Sequence, residues 1–114
     1  MKHQPITSQR NNDKNKNLLK QAQQLQSRLE QAKKELETAT VQASAGGGMV
    51  TVIVTGDMAI QSIKINKEVI DPNESEMLED LVLAGINEGL TMAQTMANEK
   101  MSALTGGLNL PGLS

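Results

Sequence analysis

The sequence contains no cysteine, no phenylalanine, tyrosine or tryptophan, and a single histidine, His3. Without cysteine the chain has no disulfide framework, no thiol nucleophile and no thiolate ligand for zinc. One histidine in a polar N-terminal stretch does not support a histidine-based catalytic triad or metal site. No nucleophile lies in a recognisable catalytic turn either. The sequence therefore predicts a protein that is not an enzyme and that has no cofactor, no metal and no small-molecule substrate.

The missing aromatic rings limit how this chain could hold a nucleic acid. Proteins that grip single strands usually stack bases on aromatic side chains. A nucleic-acid partner would therefore be a duplex, held by its phosphate backbone rather than by splayed bases.

Long apolar runs are also missing. No stretch of about 18 apolar residues occurs, which argues against a transmembrane helix. The N-terminal residues MKHQPITSQRNNDKNKN lack the apolar middle of a signal peptide. We therefore expect a cytoplasmic protein with no membrane partner. Its 114 residues suffice for one compact domain, which is marginal alone and would gain from burial in an oligomer.

Charge is unevenly distributed along the chain. The formal net charge is −2, yet residues 1–34 hold eight basic and two acidic residues, and residues 35–114 hold three basic and eleven acidic ones. A basic segment on an acidic body fits contact with a polyanion. A solvated tail followed by a charged helix face would give the same distribution, so charge alone leaves both interpretations open.

The spacing of apolar residues predicts a first long helix from about Lys14, after a disordered basic tail at residues 1–13. Its apolar positions alternate by four and three residues, the a/d pattern of a coiled coil. We call this stripe the leucine–alanine seam; it consists of Leu18, Ala22, Leu25, Leu29, Ala32, Leu36 and Ala39. Lys16, Lys20 and Lys34 fall roughly opposite the seam, with Arg28 and Lys33 on its flanks.

The middle of the chain predicts three short strands. Residues 38–44 are predicted to form an edge strand, and residues 49–55 and 59–65 a hairpin around Gly56 and Asp57. Gly46, Gly47 and Gly48 precede the second strand. A glycine-rich phosphate loop would need a helix immediately afterwards. A tight turn or bulge between strands is therefore the favoured interpretation.

A second long helix is predicted after Asp71 and Pro72, which fit a helix cap and first helical position. It would run to the stop at Gly106 and Gly107, followed by a flexible tail at residues 106–114. The acids near its start suit the helix dipole better than a metal, because the ligand pattern of a calcium loop is absent. Gly85 and Gly89, four residues apart, indicate close backbone approach to another element.

The lengths of the two helices favour a dimer. A helix of nearly thirty residues spans about 40 Å, whereas a compact domain of this size has a radius of gyration of about 13 Å. The helices must then project from the sheet or be covered by a second chain.

Four segments carry a family resemblance: KNLLKQAQQLQ at 16–26, GGGMVTVIVTGD at 46–57, EMLEDLVLAGINEG at 76–89 and TGGLNLPGL at 105–113. With these segments in order, the chain resembles the YbaB/EbfC family of bacterial nucleoid-associated proteins. The resemblance implies an α+β fold with a long N-terminal helix, a three-stranded antiparallel sheet and a long C-terminal helix. It also implies a tweezer-like homodimer whose helical arms straddle duplex DNA, and residues 14–105 would form this DNA-binding domain.

The resemblance assigns DNA contact to Lys16 and Lys20, and charge and helix geometry add Lys14, Arg28, Lys33 and Lys34. For the dimer interface we expect apolar residues of the strands and the second helix, namely Val50, Val52, Val54, Ile63, Leu78, Leu81 and Val82. The expected function is low-specificity duplex binding that contributes to nucleoid organisation and to gene regulation. The alternative is a protein-interaction adaptor that uses the leucine–alanine seam or the C-terminal tail.

Overall fold

The structure is a computed structural model that describes residues 4–105, with side chains for residues 15–105. Its elements follow the order helix, three strands, helix: α1 (Gln4–Thr38), β1 (Thr40–Ala45), β2 (Val50–Thr55), β3 (Ile60–Ile65) and α2 (Ser75–Thr105). This confirms the predicted α+β class. The predicted tail at residues 106–114 lies outside the described residues. The chain divides into two compact units, one ending at Gln31 and the other starting at Ala32.

Helix α1 begins earlier than the apolar pattern indicates. It starts at Gln4, whereas the sequence predicts a start near Lys14, so residues 4–13 are helical and the predicted disorder there is wrong. Pro5 occupies the first turn, where its missing N–H costs no hydrogen bond. Residues 6–13 include neither glycine nor proline, so no helix breaker separates this stretch from the seam.

The three strands form one antiparallel sheet in the order β1-β2-β3. Val52 pairs with Ala43 on one side and with Ile63 on the other. Residues 46–48 join β1 to β2 with φ angles of +62°, +66° and +96°, a conformation open to glycine but strained for other residues. The turn interpretation of the three glycines is thereby confirmed, and the phosphate-loop alternative is wrong because a strand follows.

The start of α2 is set by polar caps. The Asp71 carboxylate accepts a hydrogen bond from the Asn73 N–H at 3.0 Å, and Pro72 opens a short 3-10 turn that ends at Glu74. Helix α2 continues from Ser75 to Thr105 and so reaches the glycine stop predicted from the sequence.

Close packing of α2 against the sheet forms the core. Val50, Val52 and Val54 have no exposed surface, and Ala93 of α2 is buried among them. A methyl group on Gly89 would lie 2.7 Å from Val54 Cγ2, so the glycine is needed for this approach. The close-approach role predicted for the α2 glycines is confirmed.

The burial of the three β2 valines corrects part of the predicted dimer interface. A side chain that is fully buried within one chain has no surface left for contact with a second chain. Val50, Val52 and Val54 are therefore core residues covered by α2, and their assignment to the interface is wrong.

The end of α1 packs on the β2–β3 turn. Ala32 and Leu36, the fifth and sixth seam positions, are 2% and 5% exposed. A methyl group on Gly56 would lie 2.6 Å from Leu36 Cδ2 and 2.9 Å from the Leu36 carbonyl oxygen, so the turn and the helix are in direct contact. Neither helix, over the residues that the structure describes, is long and apolar enough to cross a membrane.

Candidate nucleic-acid interface

Two lysines of the predicted DNA site are neighbours on one face of α1. Lys16 and Lys20 are one helical turn apart, at about 40° around the helix axis, and both side chains are exposed. They line a shallow groove together with Asn17, Leu19 and Gln23. The side chain of Lys14 lies outside the described residues. The structure therefore brings Lys16 and Lys20 together as an accessible pair of positive charges.

The other predicted bases lie further along the same helix. Arg28 is exposed in the unit that ends at Gln31, and Lys33 and Lys34 are exposed in the unit that starts at Ala32. At about 100° per residue, Arg28 and Lys33 turn away from the face of Lys16 and Lys20, whereas Lys34 falls at the same angle around an ideal helix axis as Lys16. They extend the basic character of α1 along its length.

These bases are not neutralised by acidic partners in the described part of the chain. Among side chains 15–105, the ion pair present joins Lys100 Nζ to Glu35 Oε1 at 2.9 Å. Lys100 is the single basic residue of α2. Its charge is thus engaged within the chain, whereas those of α1 remain available to a polyanion.

Sequence reasoning overlooked Gln23 as a component of this face. A count of charges cannot identify Gln23, because its amide is neutral. Helix periodicity identifies it, because residues seven apart, such as Lys16 and Gln23, return to nearly the same side of a helix. An amide at this place can donate a hydrogen bond to a phosphate oxygen.

The competing metal site gains no support from the geometry. In the portion of the chain that is described, no three His, Asp or Glu side chains converge as metal ligands. Asp71 caps the turn before α2, and Glu76 lies in the first turn of that helix. Both positions suit the positive end of a helix dipole.

A separate apolar groove lies on α2 beside β3. Ile65 of β3 and Leu78, Val82, Leu83 and Ile86 of α2 line it, and Ser75 and Glu79 form its polar part. Leu83 is 57% exposed. Leu78 and Val82, both predicted for the dimer interface, are thus brought together here, and Leu83 and Ile86 were missed although the spacing of 78, 82 and 86 follows a helix face.

Two other predicted interface residues lie elsewhere. Ile63 is 41% exposed on β3 and faces the α2 side of the sheet, because it pairs with the buried Val52. Leu81 reaches across to the β1–β2 turn, where its Cδ2 lies 2.8 Å from the position of a methyl group on Gly46. Ile63 therefore extends the apolar surface along β3, and Leu81 contributes to packing inside the chain.

The helix–sheet–helix order with a basic first helix defines a class of small α+β proteins. The fold resembles the crystal structure of an uncharacterized protein from Helicobacter pylori, with a TM-score of 0.65 and 18% sequence identity. That match covers 78% of this chain and 91% of the other. At this level of identity the comparison shows a shared fold.

The chain belongs to the YbaB/EbfC DNA-binding family, whose family model matches residues 11–108. It is 51% identical over 98 residues to a nucleoid-associated protein of Acetivibrio thermocellus, covering 85% of this chain and 87% of the relative. Nucleoid-associated proteins of Clostridium kluyveri and Syntrophobacter fumaroxidans are 50% and 45% identical over 97 residues each. These matches cover 85% of this chain and 85% and 88% of the two relatives, respectively. The family resemblance of the sequence is thereby confirmed.

Proposed function

We propose that this chain binds duplex DNA through its phosphate backbone, as a homodimer, without catalysis and with low sequence specificity. The observation that carries this proposal is the exposed basic face of α1, with Lys16 and Lys20 side by side, in a member of a DNA-binding family. Lys and Arg contacts to phosphate supply affinity that is independent of base sequence.

The names of the relatives support a place in the nucleoid. We propose that this chain contributes to nucleoid organisation and to gene regulation, in line with relatives that are named nucleoid-associated proteins. The lack of aromatic side chains favours a duplex over a single strand, because stacking platforms for unpaired bases are missing.

The homodimer is proposed to form across the apolar groove of α2 and β3. Helix α2 packs on β1 and β2, and Ile60 and Ile63 of β3 remain 42% and 41% exposed. A second copy would cover this strand together with Leu78, Val82 and Leu83, which removes apolar surface from water. The tweezer-like arrangement implied by the family resemblance belongs to the same proposal.

Salt dependence of binding tests the phosphate mechanism. A dimer with four contacting bases per chain would neutralise about eight phosphates, so the log–log slope of affinity against salt would be about −7. Between about 50 and about 200 mM salt this slope means a loss of about 10⁴-fold. Fluorescence anisotropy with several unrelated duplexes would measure both the slope and the specificity. An affinity that hardly changes over this range would contradict backbone binding.

A pair of matched double variants locates the contact. Replacing Lys16 and Lys20 with Gln should remove about four phosphate contacts per dimer and reduce the slope to about −4 for every duplex. Lys64→Gln with Lys67→Gln makes the same charge change at exposed positions outside α1, and the slope should stay near that of the parent. Equal effects of the two double variants, or a loss confined to one duplex, would contradict the proposed interface.

A protein-interaction adaptor is the second candidate. The exposure of Leu18 and Leu19, 64% and 60%, favours it, because large exposed apolar side chains on a helix suit a protein partner. A stable protein partner recovered after nuclease treatment, together with no shift of any duplex in a gel, would support this candidate against DNA binding.

A further inference from the structure

The N-terminal part of the leucine–alanine seam is left open. Leu18 is 64% exposed, Ala22 is exposed, and Leu25 and Leu29 are half-buried. The later seam positions Ala32 and Leu36 are buried inside their own unit, where the seam meets the β2–β3 turn. One stripe of the same helix is therefore buried at one end and uncovered at the other.

We propose that residues 18–29 of α1 pair in antiparallel orientation with the same residues of a second copy, through a contact distinct from the α2–β3 groove. The alternation by four and three residues is the spacing that pairs one helix with one other helix. This inference does not rest on DNA binding, because it concerns the face of α1 that points away from Lys16 and Lys20.

Side-chain sizes fit the antiparallel register. With the two helices centred between Gln23 and Gln24, Leu18 lies opposite Leu29 of the second copy, and Ala22 lies opposite Leu25. A small residue facing a large one at each inner layer lets the side chains interdigitate without a void. The outer layers are each filled by two leucines.

The charges that flank the seam select the antiparallel orientation. In a parallel pair in register, Arg28 would face Lys33 of the second copy, which places like charges side by side. In the antiparallel pair, Arg28 faces the neutral Gln21 instead. The parallel arrangement therefore carries a repulsion that the antiparallel arrangement avoids.

The pairing leaves the proposed DNA face free. At about 100° per residue, Lys16 and Lys20 point about 150° and about 170° away from the centre of the open seam. If dimers also form through the α2–β3 groove, alternating use of two isologous contacts links dimers into a chain. On DNA this would tether two duplexes, a consequence that rests on the proposed function.

Engineered cysteines test the register without DNA, and the natural chain offers no competing thiol. A disulfide requires Cα atoms within about 7 Å. In the antiparallel pair, residue 18 is adjacent to residue 29 of the other chain, but two copies of residue 18 lie about 16 Å apart along the axis. Full-length Leu18→Cys and Leu29→Cys are mixed under mild oxidation, and the products are identified by mass spectrometry.

We expect the mixture to yield the disulfide between the two different variants, and each variant alone to yield little cross-linked product. Ser27→Cys, exposed on the face opposite the seam, is the control and should give only background cross-linking. Efficient cross-linking of Leu18→Cys with itself would show a parallel pair and overturn the proposal. Cross-linking no greater than that of the Ser27→Cys control would overturn it as well, provided circular dichroism shows that the variants are folded.

These measurements distinguish a failure of DNA binding from a failure of the helix pairing. If the cross-link forms but no duplex is bound in anisotropy measurements, the helix pairing stands and the proposed function fails. If both hold, Leu25→Gln should reduce capture of a labelled duplex by an immobilised duplex, while binding to one duplex at a time is retained. Unchanged capture by the Leu25→Gln protein would contradict tethering through the seam.

Discussion

At the residue scale, the two glycines of α2 decide how closely the helix approaches β2. A methyl group on Gly85 would lie 3.0 Å from Val52 Cγ2, and one on Gly89 would lie 2.7 Å from Val54 Cγ2. Both valines are fully buried and β-branched, so they have little freedom to move aside. Glycine in a helix costs about 1 kcal/mol per residue relative to alanine, because the unfolded chain is more flexible at glycine. The apolar contact that this close packing buries offsets that cost.

Gly89→Ala should therefore destabilise the protein although alanine is the better helix former. Overpacking of a well-filled core costs about 1–3 kcal/mol, against a propensity gain of about 1 kcal/mol, so we expect a net loss of up to about 2 kcal/mol. Urea denaturation measures the free energy of unfolding. Ala84→Gly, at an exposed position of α2, calibrates the propensity difference alone. A Gly89→Ala protein at least as stable as the parent would contradict the close packing.

At the element scale, each helix is buried over part of its length. Helix α1 is held where Leu36 meets Gly56, and its seam is open around Leu18. Helix α2 covers β1 and β2 and leaves the isoleucines of β3 half exposed. The surfaces left open are those for which we propose a second copy of the chain.

The same substitution at the two ends of the α1 seam should have very different effects. Leu36→Ala removes a side chain that is 5% exposed and should cost about 2–5 kcal/mol of unfolding free energy, because a cavity is left at the β2–β3 turn. Leu18→Ala removes one that is 64% exposed and should change stability by less than about 0.5 kcal/mol. Thermal or urea unfolding at low protein concentration compares the two. Similar losses for both would show that the seam is not divided as described.

At the scale of the whole molecule, charge and apolar surface are separated along the chain. Eight of the eleven basic residues lie in residues 1–34, and the apolar groove lies on α2 and β3. The proposed dimer would therefore join two acidic bodies through apolar contact and carry one basic helix on each. Doubling the basic surface in this way raises both the affinity for a polyanion and its dependence on salt.

Leu83→Glu should break the proposed dimer without unfolding the chain, since Leu83 is 57% exposed. A buried unpaired charge opposes association strongly. We expect a monomer in sedimentation equilibrium at a concentration that keeps the parent dimeric, and a salt slope of DNA binding about half that of the parent. Thr91→Glu, exposed on the same helix, is the matched control and should remain dimeric. If the Leu83→Glu protein sediments as a dimer like the parent, the groove is not the dimer interface.

The elements and their order follow from local patterns in the sequence. Helical and strand periodicities are local, the Gly46–Gly48 turn needs φ angles that glycine adopts freely, and Asp71 caps through its own neighbours. The basic segment is likewise identified from residue types alone. Tertiary structure decided which apolar residues are core and which remain surface: α2 lies over the valines of β2 and leaves Ile63 open. No local pattern distinguishes these strands, because burial depends on which distant element packs against each of them.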